Sequence, residues 1–149
     1  MPTSNINAID EMFAAFQTAW SAGTTAIVGY IPLIKWDGID DGTIPDANKF
    51  WVRVSTQQVD SRQATLCENV VTHGSRRYET NGVIFVQLFA PKRKDSMEKA
   101  KLLCALVQNT FRKSTTNVII RNARIQDLPS DNGAIRKNVV AEYQFDEIN

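Results

Sequence analysis

Residues 82–91 of this 149-residue chain read Gly-Val-Ile-Phe-Val-Gln-Leu-Phe-Ala-Pro, and no other run restricts the fold as much. A polar approach from Arg76-Arg77-Tyr78 ends at Gly82, seven almost unbroken apolar residues follow, and Ala90-Pro91 closes the run. This is the pattern of a strand that needs cover on both faces. Ile84, Val86 and Leu88 fall on one side of the pleat; Val83, Phe85, Gln87 and Phe89 fall on the other. A domain of this size has few elements with which to cover both. The second cover is therefore expected from another copy of the chain, which points to assembly rather than catalysis.

The remaining elements follow from periodicity. Residues 5–22 predict an amphipathic helix whose stripe is Ile6, Ile9, Phe13, Phe16 and Trp20, with Met12 at its margin. Ser4 or Asn5 is placed to cap its start, and Gly23 to supply a left-handed stop. Pro32 ahead of Leu33-Ile34-Lys35-Trp36 predicts a strand that is short or lies at an edge. From residue 50 to 59 the alternation is clean, with Phe50, Val52 and Val54 facing one way and Trp51, Arg53, Ser55 and Gln57 the other. Residues 60–77 are polar and read as a long excursion between two paired strands, of the kind that projects as a hairpin.

A second helix is expected over 96–113. Asp95 and Glu98 fit a capping arrangement, and Ala100, Leu102, Leu103, Leu106, Val107 and Phe111 form a face about half its circumference wide. Two strands follow near 118–126 and 137–146, separated by the turn formers at 129–133. The last sets Val139, Ala141, Tyr143 and Phe145 against Val140, Glu142 and Gln144. The order of elements predicts an α+β fold, a single domain with two helices packed on one face of a mostly antiparallel sheet.

Composition narrows the function. Seventeen Lys and Arg against sixteen Asp and Glu leave a net charge of +1, which gives no electrostatic footprint for nucleic acid or an anionic membrane. Cys67 and Cys104 lie far apart in no metal-spaced cluster and read as free thiols. Met1-Pro2-Thr3-Ser4-Asn5 has neither the basic start nor the apolar core of a signal peptide, and no apolar run is long enough to span a bilayer. A soluble protein made in the cytoplasm is expected.

No constellation of catalytic residues emerges. The one histidine, His73 in Thr72-His73-Gly74, has no evident nucleophile or orienting partner, and reads as a solvated loop residue. The loop 37–46 holds Asp37, Asp40, Asp41 and Asp46 among glycines, but lacks the spacing and the closing glutamate of a calcium loop. The glycines form no phosphate-cradling motif, and Lys92-Arg93-Lys94 reads as a solvated approach to a helix. Nothing brings Glu79 and Glu142 together as a carboxylate pair. No cofactor and no metal are expected. Arg62, Arg76, Arg77 and Tyr78 on the 60–78 excursion, with Phe85 and Gln87 on the second strand face, are instead candidate contact residues, since arginine and tyrosine are enriched where interfaces carry energy. Arg76 and Arg77 read equally as a solvated hairpin tip.

Trp51-Val52-Arg53-Val54, Asp60-Ser61-Arg62-Gln63-Ala64-Thr65-Leu66, Arg77-Tyr78, Gly82 and Val86-Gln87-Leu88-Phe89-Ala90-Pro91, in that order, resemble the core of the small tail terminator (tail completion) proteins of long-tailed bacteriophages. The N-terminal helix ahead of Trp36-Asp37, the helix after Ala90-Pro91 and the late strand pair follow the same order, so the resemblance spans about residues 5–146. It departs in one place, where the basic Pro91-Lys92-Arg93-Lys94 replaces a usually Gly-rich approach to the helix. The resemblance implies a homo-hexameric ring on the head-proximal end of the tail tube. That ring would stop tube polymerisation sterically and present a surface to head-completion proteins. Its implied partners are further copies of itself, the tail tube protein and a neck protein, and its implied location is the virion tail. A different neck or minor tail role, a monomeric module directed at a host enzyme, and an enzyme built on Glu142, Tyr143 or His73 are the alternatives.

Overall fold

A computed structural model describes residues 3–39, 42–64, 77–131 and 134–148. Its elements are α1 (Asn5–Gly23), α2 (Thr25–Val28), β1 (Leu33–Trp36), β2 (Trp51–Gln63), β3 (Arg77–Pro91), α3 (Ser96–Phe111), β4 (Ile119–Asp131) and β5 (Ala134–Ile148). The strands form one sheet in the order β1-β2-β3-β5-β4. All pairings are antiparallel except the short edge strand β1, which runs parallel to β2. The fold is α+β, with α1 and α3 lying together on one face of the sheet, as the order of elements predicts.

The strand alternation holds. Val52 and Val54 of β2, Ile84, Val86, Leu88 and Ala90 of β3, and Val139, Ala141, Tyr143 and Phe145 of β5 are all buried beneath the helices. Helix α1 meets them with Ala8, Met12, Phe16 and Trp20, a line of side chains spaced four apart. Met12 is therefore central rather than marginal, and Ile6 is 74% exposed, because the helix turns its i, i+4 row to the sheet and carries Ile6 past the edge of the contact. Helix α3 contributes Ala100, Leu103, Cys104, Val107 and Phe111, while Leu102 on its flank stays exposed. The two helices meet through the stacked rings of Phe16 and Phe111, 6.2 Å apart, and Phe16 also stacks on Trp20 at 5.4 Å.

Local details depart from the sequence reading where side chains found other partners. Ser4 does cap α1, accepting from the Asn7 N–H at 3.2 Å. Gly23 is not the left-handed stop: the chain stays helical through it, Thr24 takes the cap, and the left-handed glycine is Gly29, which closes the short α2. Gly23 instead lets Leu106 of α3 come close, since a Cβ there would lie 2.8 Å from Leu106 Cδ1. Asp95 makes no capping bond, because its carboxylate pairs with Lys99 at 2.8 Å. Strand β3 does not stop before Pro91 but pairs through it to Ala134. Proline is tolerated there because β2 ends its pairing at Phe89 and no neighbour awaits an N–H. Likewise β2 runs on to Gln63, so the expected excursion begins later than residue 60.

Three polar clasps tie the periphery to this core. The Trp20 indole donates to the Pro32 carbonyl at 3.0 Å, fixing the entry to β1. The Tyr30 hydroxyl accepts from the Phe50 N–H at 2.9 Å. Glu11 accepts from both the backbone and the side-chain N–H groups of Asn117, each at 3.0 Å, and so pins α1 to the turn before β4. Burial raises the Glu11 pKa, but hydrogen bonds from Thr115, Asn117 and Thr116 outweigh it and hold the carboxyl below the ordinary glutamate value.

Two substitutions test this packing. At Gly82 a Cβ would meet the Tyr143 ring at 2.3 Å and the Gln57 carbonyl oxygen at 2.6 Å. Gly82→Ala is therefore expected to cost about 1–3 kcal/mol or more in denaturant unfolding, whereas Gly23→Ala should shift stability by less than about 1 kcal/mol, helix propensity offsetting the displaced Leu106 methyls. Because the folded pKa of Glu11 is depressed, its contribution is present above the unfolded glutamate pKa and is lost as pH falls through the folded value. Comparing the wild type with Glu11→Gln should show the difference in stability shrinking as pH falls into that range.

Candidate functional site

With both helices on one side, the opposite face of the sheet carries no covering element among the described residues. Its rows can be read from the strand register. Trp51, Phe89 and Arg136 lie abreast, then Arg53, Gln87, Asn138 and Gln126, then Ser55, Phe85, Val140 and Arg124, then Gln57, Val83, Glu142 and Arg121. The surface mixes aromatic, amide and arginine side chains. Phe85, Gln87, Phe89 and Val83 are only half buried, and Val140 at the centre is fully buried by its neighbours.

The most ordered cluster on this face is Trp51 stacked on Phe89, with ring centroids 4.1 Å apart and planes 6° from parallel. The Arg53 guanidinium lies 5.7 Å from both centroids. Beside it, Lys35, Trp36, Asp37, Gly38, Ile39, Pro45, Trp51 and Arg53 surround a depression of about 300 Å³. Ile39, which is 62% exposed, gives this depression an apolar rim next to Trp51, and Ile44 of the same loop is 89% exposed.

A second depression, of about 340 Å³, lies further along the face between Val59, Gly82, Val83, Arg121, Asn122 and Glu142. Here the sheet bends. The β2–β3 register slips between Gln58 and Asp60, leaving Val59 as an extra residue beside Gly82. On the far side, β4 slips between Arg121 and Arg124, with Asn122 at φ 56°. Two bulges flanking one glycine sharpen the local twist of the sheet. Asn122 donates to Glu142 at 2.7 Å, and Arg121 donates to Gln144.

Beyond the bend, β2, β3 and β5 continue as an arm. Arg62 pairs with Glu79 at 3.2 Å and Arg77 pairs with Asp146, all four on the open face by strand alternation. Behind them, Ser61 and Thr80 share a hydroxyl hydrogen bond at 3.1 Å. The backbone N–H of Thr3 donates to the Asp146 carbonyl at 2.8 Å, taking the place that β4 leaves at this level.

The sequence-derived contact residues therefore divide. Phe85 and Gln87 sit in the middle of the open face, and Arg62 and Arg77 sit on the arm with their charge already balanced by carboxylates. Tyr78 falls on the helix side by alternation, and Arg76, like His73 and Cys67, lies outside the described residues. Glu79 and Glu142 stay apart, each bound to its own partner, Arg62 and Asn122. The Trp51–Phe89–Arg53 cluster went unrecognised in the sequence, because only the register of β2 against β3 sets those rings abreast.

No group of three His, Cys, Asp or Glu residues able to hold a metal occurs among the described residues, and none of their helices is long and apolar enough to cross a membrane. Cys104 is buried against the sheet, and that burial pushes its thiol up to about 11 despite the nearby Lys137 ammonium. Lys137 is 6% exposed and donates to Asp127 at the rim of the sheet. That hydrogen bond and charge hold the Asp127 carboxyl below its ordinary value.

No known protein family matches the sequence, and no curated protein does. Among solved structures, one whose title carries no functional name superposes with a TM-score of 0.58 at 15% identity, covering 91% of this chain and 94% of its own. That likeness extends over nearly the whole of both chains and concerns the fold.

Two outcomes test the site description. Because each arm pair is exposed, Arg62→Ala and Arg77→Ala should each cost under about 1 kcal/mol in unfolding experiments. In a Cys67→Ser background, Cys104 should resist alkylation at pH 8 in the native protein and react on unfolding, as a buried neutral thiol does.

Proposed function

We propose that this chain is a ring-forming structural protein of a bacteriophage tail. In this reading it is a tail terminator that assembles as a hexamer on the head-proximal end of the tube and ends its growth. The observation that supports the reading is the uncovered sheet face. One whole side of a five-stranded sheet carries a stacked Trp–Phe pair, a guanidinium above it and half-buried apolar side chains, and no element of the described chain lies over it. Aromatic and arginine side chains in such a setting are the usual anchors of protein interfaces. The order of motifs from Trp51 to Pro91 supplies the particular assembly, through its resemblance to the terminator family.

The mechanism is steric. A subunit in a ring uses two unlike surfaces on its neighbours, so the contact is heterologous and closes by rotation. A third surface docks on the last tube ring, and the opposite end offers no tube-like face, so no further tube subunit adds. The head-joining partner meets that end. The tube protein and the neck protein are the partners this reading requires, and the virion tail is its place of action.

Negative-stain electron microscopy across a concentration series, with and without the tube protein of the same phage, tests the proposal. Closed six-fold rings, free or capping tube ends, are the expected result. A strict monomer that ignores those tubes would overturn it and favour a module acting alone on a host protein. Trp51→Ala should leave the fold intact and weaken docking on tube ends at least tenfold, as loss of a central aromatic anchor does at about 2 kcal/mol or more.

A further inference from the structure

The two edges of the sheet are unlike, and each is open over part of its length. Strand β1 covers β2 only over residues 51–54, so residues 55–62 have no strand beside them on their outer side among the described residues. At the other edge, β4 has β5 on its inner side. On its outer side the Ser114 hydroxyl holds the N–H and C=O of Ile120, and Gln108 donates to the Ala123 carbonyl. The stretch with no strand or side chain bonded along it among the described residues is therefore 124–128. Monomeric proteins blunt such edges with charge, proline or covering loops. The exposed start of the β2 stretch, Ser55-Thr56-Gln57-Gln58-Val59, has no charge and no proline, and ends in Val59, which is 66% exposed.

Which backbone groups face outward follows from the bonds present. The Val54 carbonyl accepts from the Asp37 N–H on the β1 side, so Val54, Thr56 and Gln58 direct their N–H and C=O groups away from β3. Carrying the alternation across the register, Val54 to Val86, Val86 to Val139 and Val139 to Ile125, turns the groups of Ile125 away from β5. The placement of Pro91 agrees with this alternation. The phase gives its missing N–H to the β2 side, where β2 has already ended its pairing.

Strand direction then fixes what can pair. Strand β2 is antiparallel to β3, β3 to β5 and β5 to β4, so β4 runs antiparallel to β2 at the opposite edge. In a rotational ring every copy keeps its polarity relative to the axis. The β4 edge of one copy consequently meets the β2 edge of the next as an antiparallel pair, the more stable of the two ladders. Pairing like edges by a two-fold axis would give a dimer and stop there.

We infer that neighbouring copies join edge to edge, with residues 124–128 of β4 in one subunit pairing antiparallel within residues 55–62 of β2 in the next. The sheet then continues around the ring, and the open aromatic face becomes one continuous surface. The inference rests on the ring reading proposed above and names the contact that closes it. The partner is a second copy of this chain.

Proline at an outward N–H tests it, because the monomer makes no bond there to lose. Gln58→Pro spoils the β2 edge and Ile125→Pro the β4 edge, while Gln58→Ala and Ile125→Ala keep the N–H groups. Each proline variant alone should remain monomeric by analytical ultracentrifugation, with and without tubes. An equal mixture of the two should yield 1:1 dimers and nothing larger, since only one junction is intact. Both alanine variants should form rings. Rings from either proline variant would overturn the edge pairing and leave the ring reading standing, whereas a wild type that forms no ring even on tubes would remove both. Should a proline variant fail to fold, amide hydrogen exchange on the wild-type ring decides. Assembly should protect Thr56, Gln58 and Ile125 at least tenfold, and unchanged exchange there would overturn the pairing.

Discussion

Everything in this molecule is arranged around the two faces of β3. Ile84, Val86, Leu88 and Ala90 need cover on one side, and Val83, Phe85 and Phe89 ask for it on the other. Two long helices suffice for one side only. Each interior residue on the helix side is sealed by Met12, Phe16 and Trp20 from α1 or by Leu103, Val107 and Phe111 from α3. Burying a side chain of this size contributes about 1.5–3 kcal/mol, so the helix side holds the domain together. The opposite side makes do with the sheet's own packing: Trp51 lies on Phe89, Arg53 lies over both, and Val140 is buried among its neighbours.

The same sheet is divided along its length. Gly82 must lack a side chain because the Tyr143 ring occupies the space. The bulges beside it at Val59 and Asn122 bend the strands at almost the same level. Toward the helices the ladder is filled with apolar side chains; past the bend it is held by hydroxyl and ion pairs, Ser61 with Thr80, Arg62 with Glu79 and Arg77 with Asp146. Such exposed pairs contribute little to stability. Their effect is to balance the charge of an arm whose helix side buries Thr80 and Phe145.

Much of this was legible in the chain. The alternation of Phe50, Val52 and Val54, and of Val139, Ala141, Tyr143 and Phe145, marks strands and the buried side of each, because a period of two leaves one assignment per face. Helix ends were less legible, since glycine serves either to turn the chain or to admit a neighbour; Gly23 does the second and Gly29 the first. Met12 moved from the margin of the α1 stripe to its centre because the elements it packs against, not the period alone, set which row faces inward. The cluster of Trp51, Phe89 and Arg53 depends on residues 38 apart in sequence being set side by side by the register of β2 on β3. Periodicity cannot report that pairing. The four-residue α2 was missed because so short a helix shows no stripe.

A sheet with one covered face and two open edges has few ways to be finished. Covering the bare face with a foreign chain would hide the aromatic pair but leave the outward N–H and C=O groups of residues 55–62 and 124–128 facing water. Joining copies edge to edge satisfies those groups and leaves the bare face available, so one fold can close a ring with its edges and still dock with its face. The antiparallel relation of β4 to β2 makes that division possible. A longer β1, being parallel to β2, would keep that direction but would occupy the outward groups of residues 55–62. The brevity of β1, four residues ahead of Asp37, is thus what leaves that stretch of the edge open.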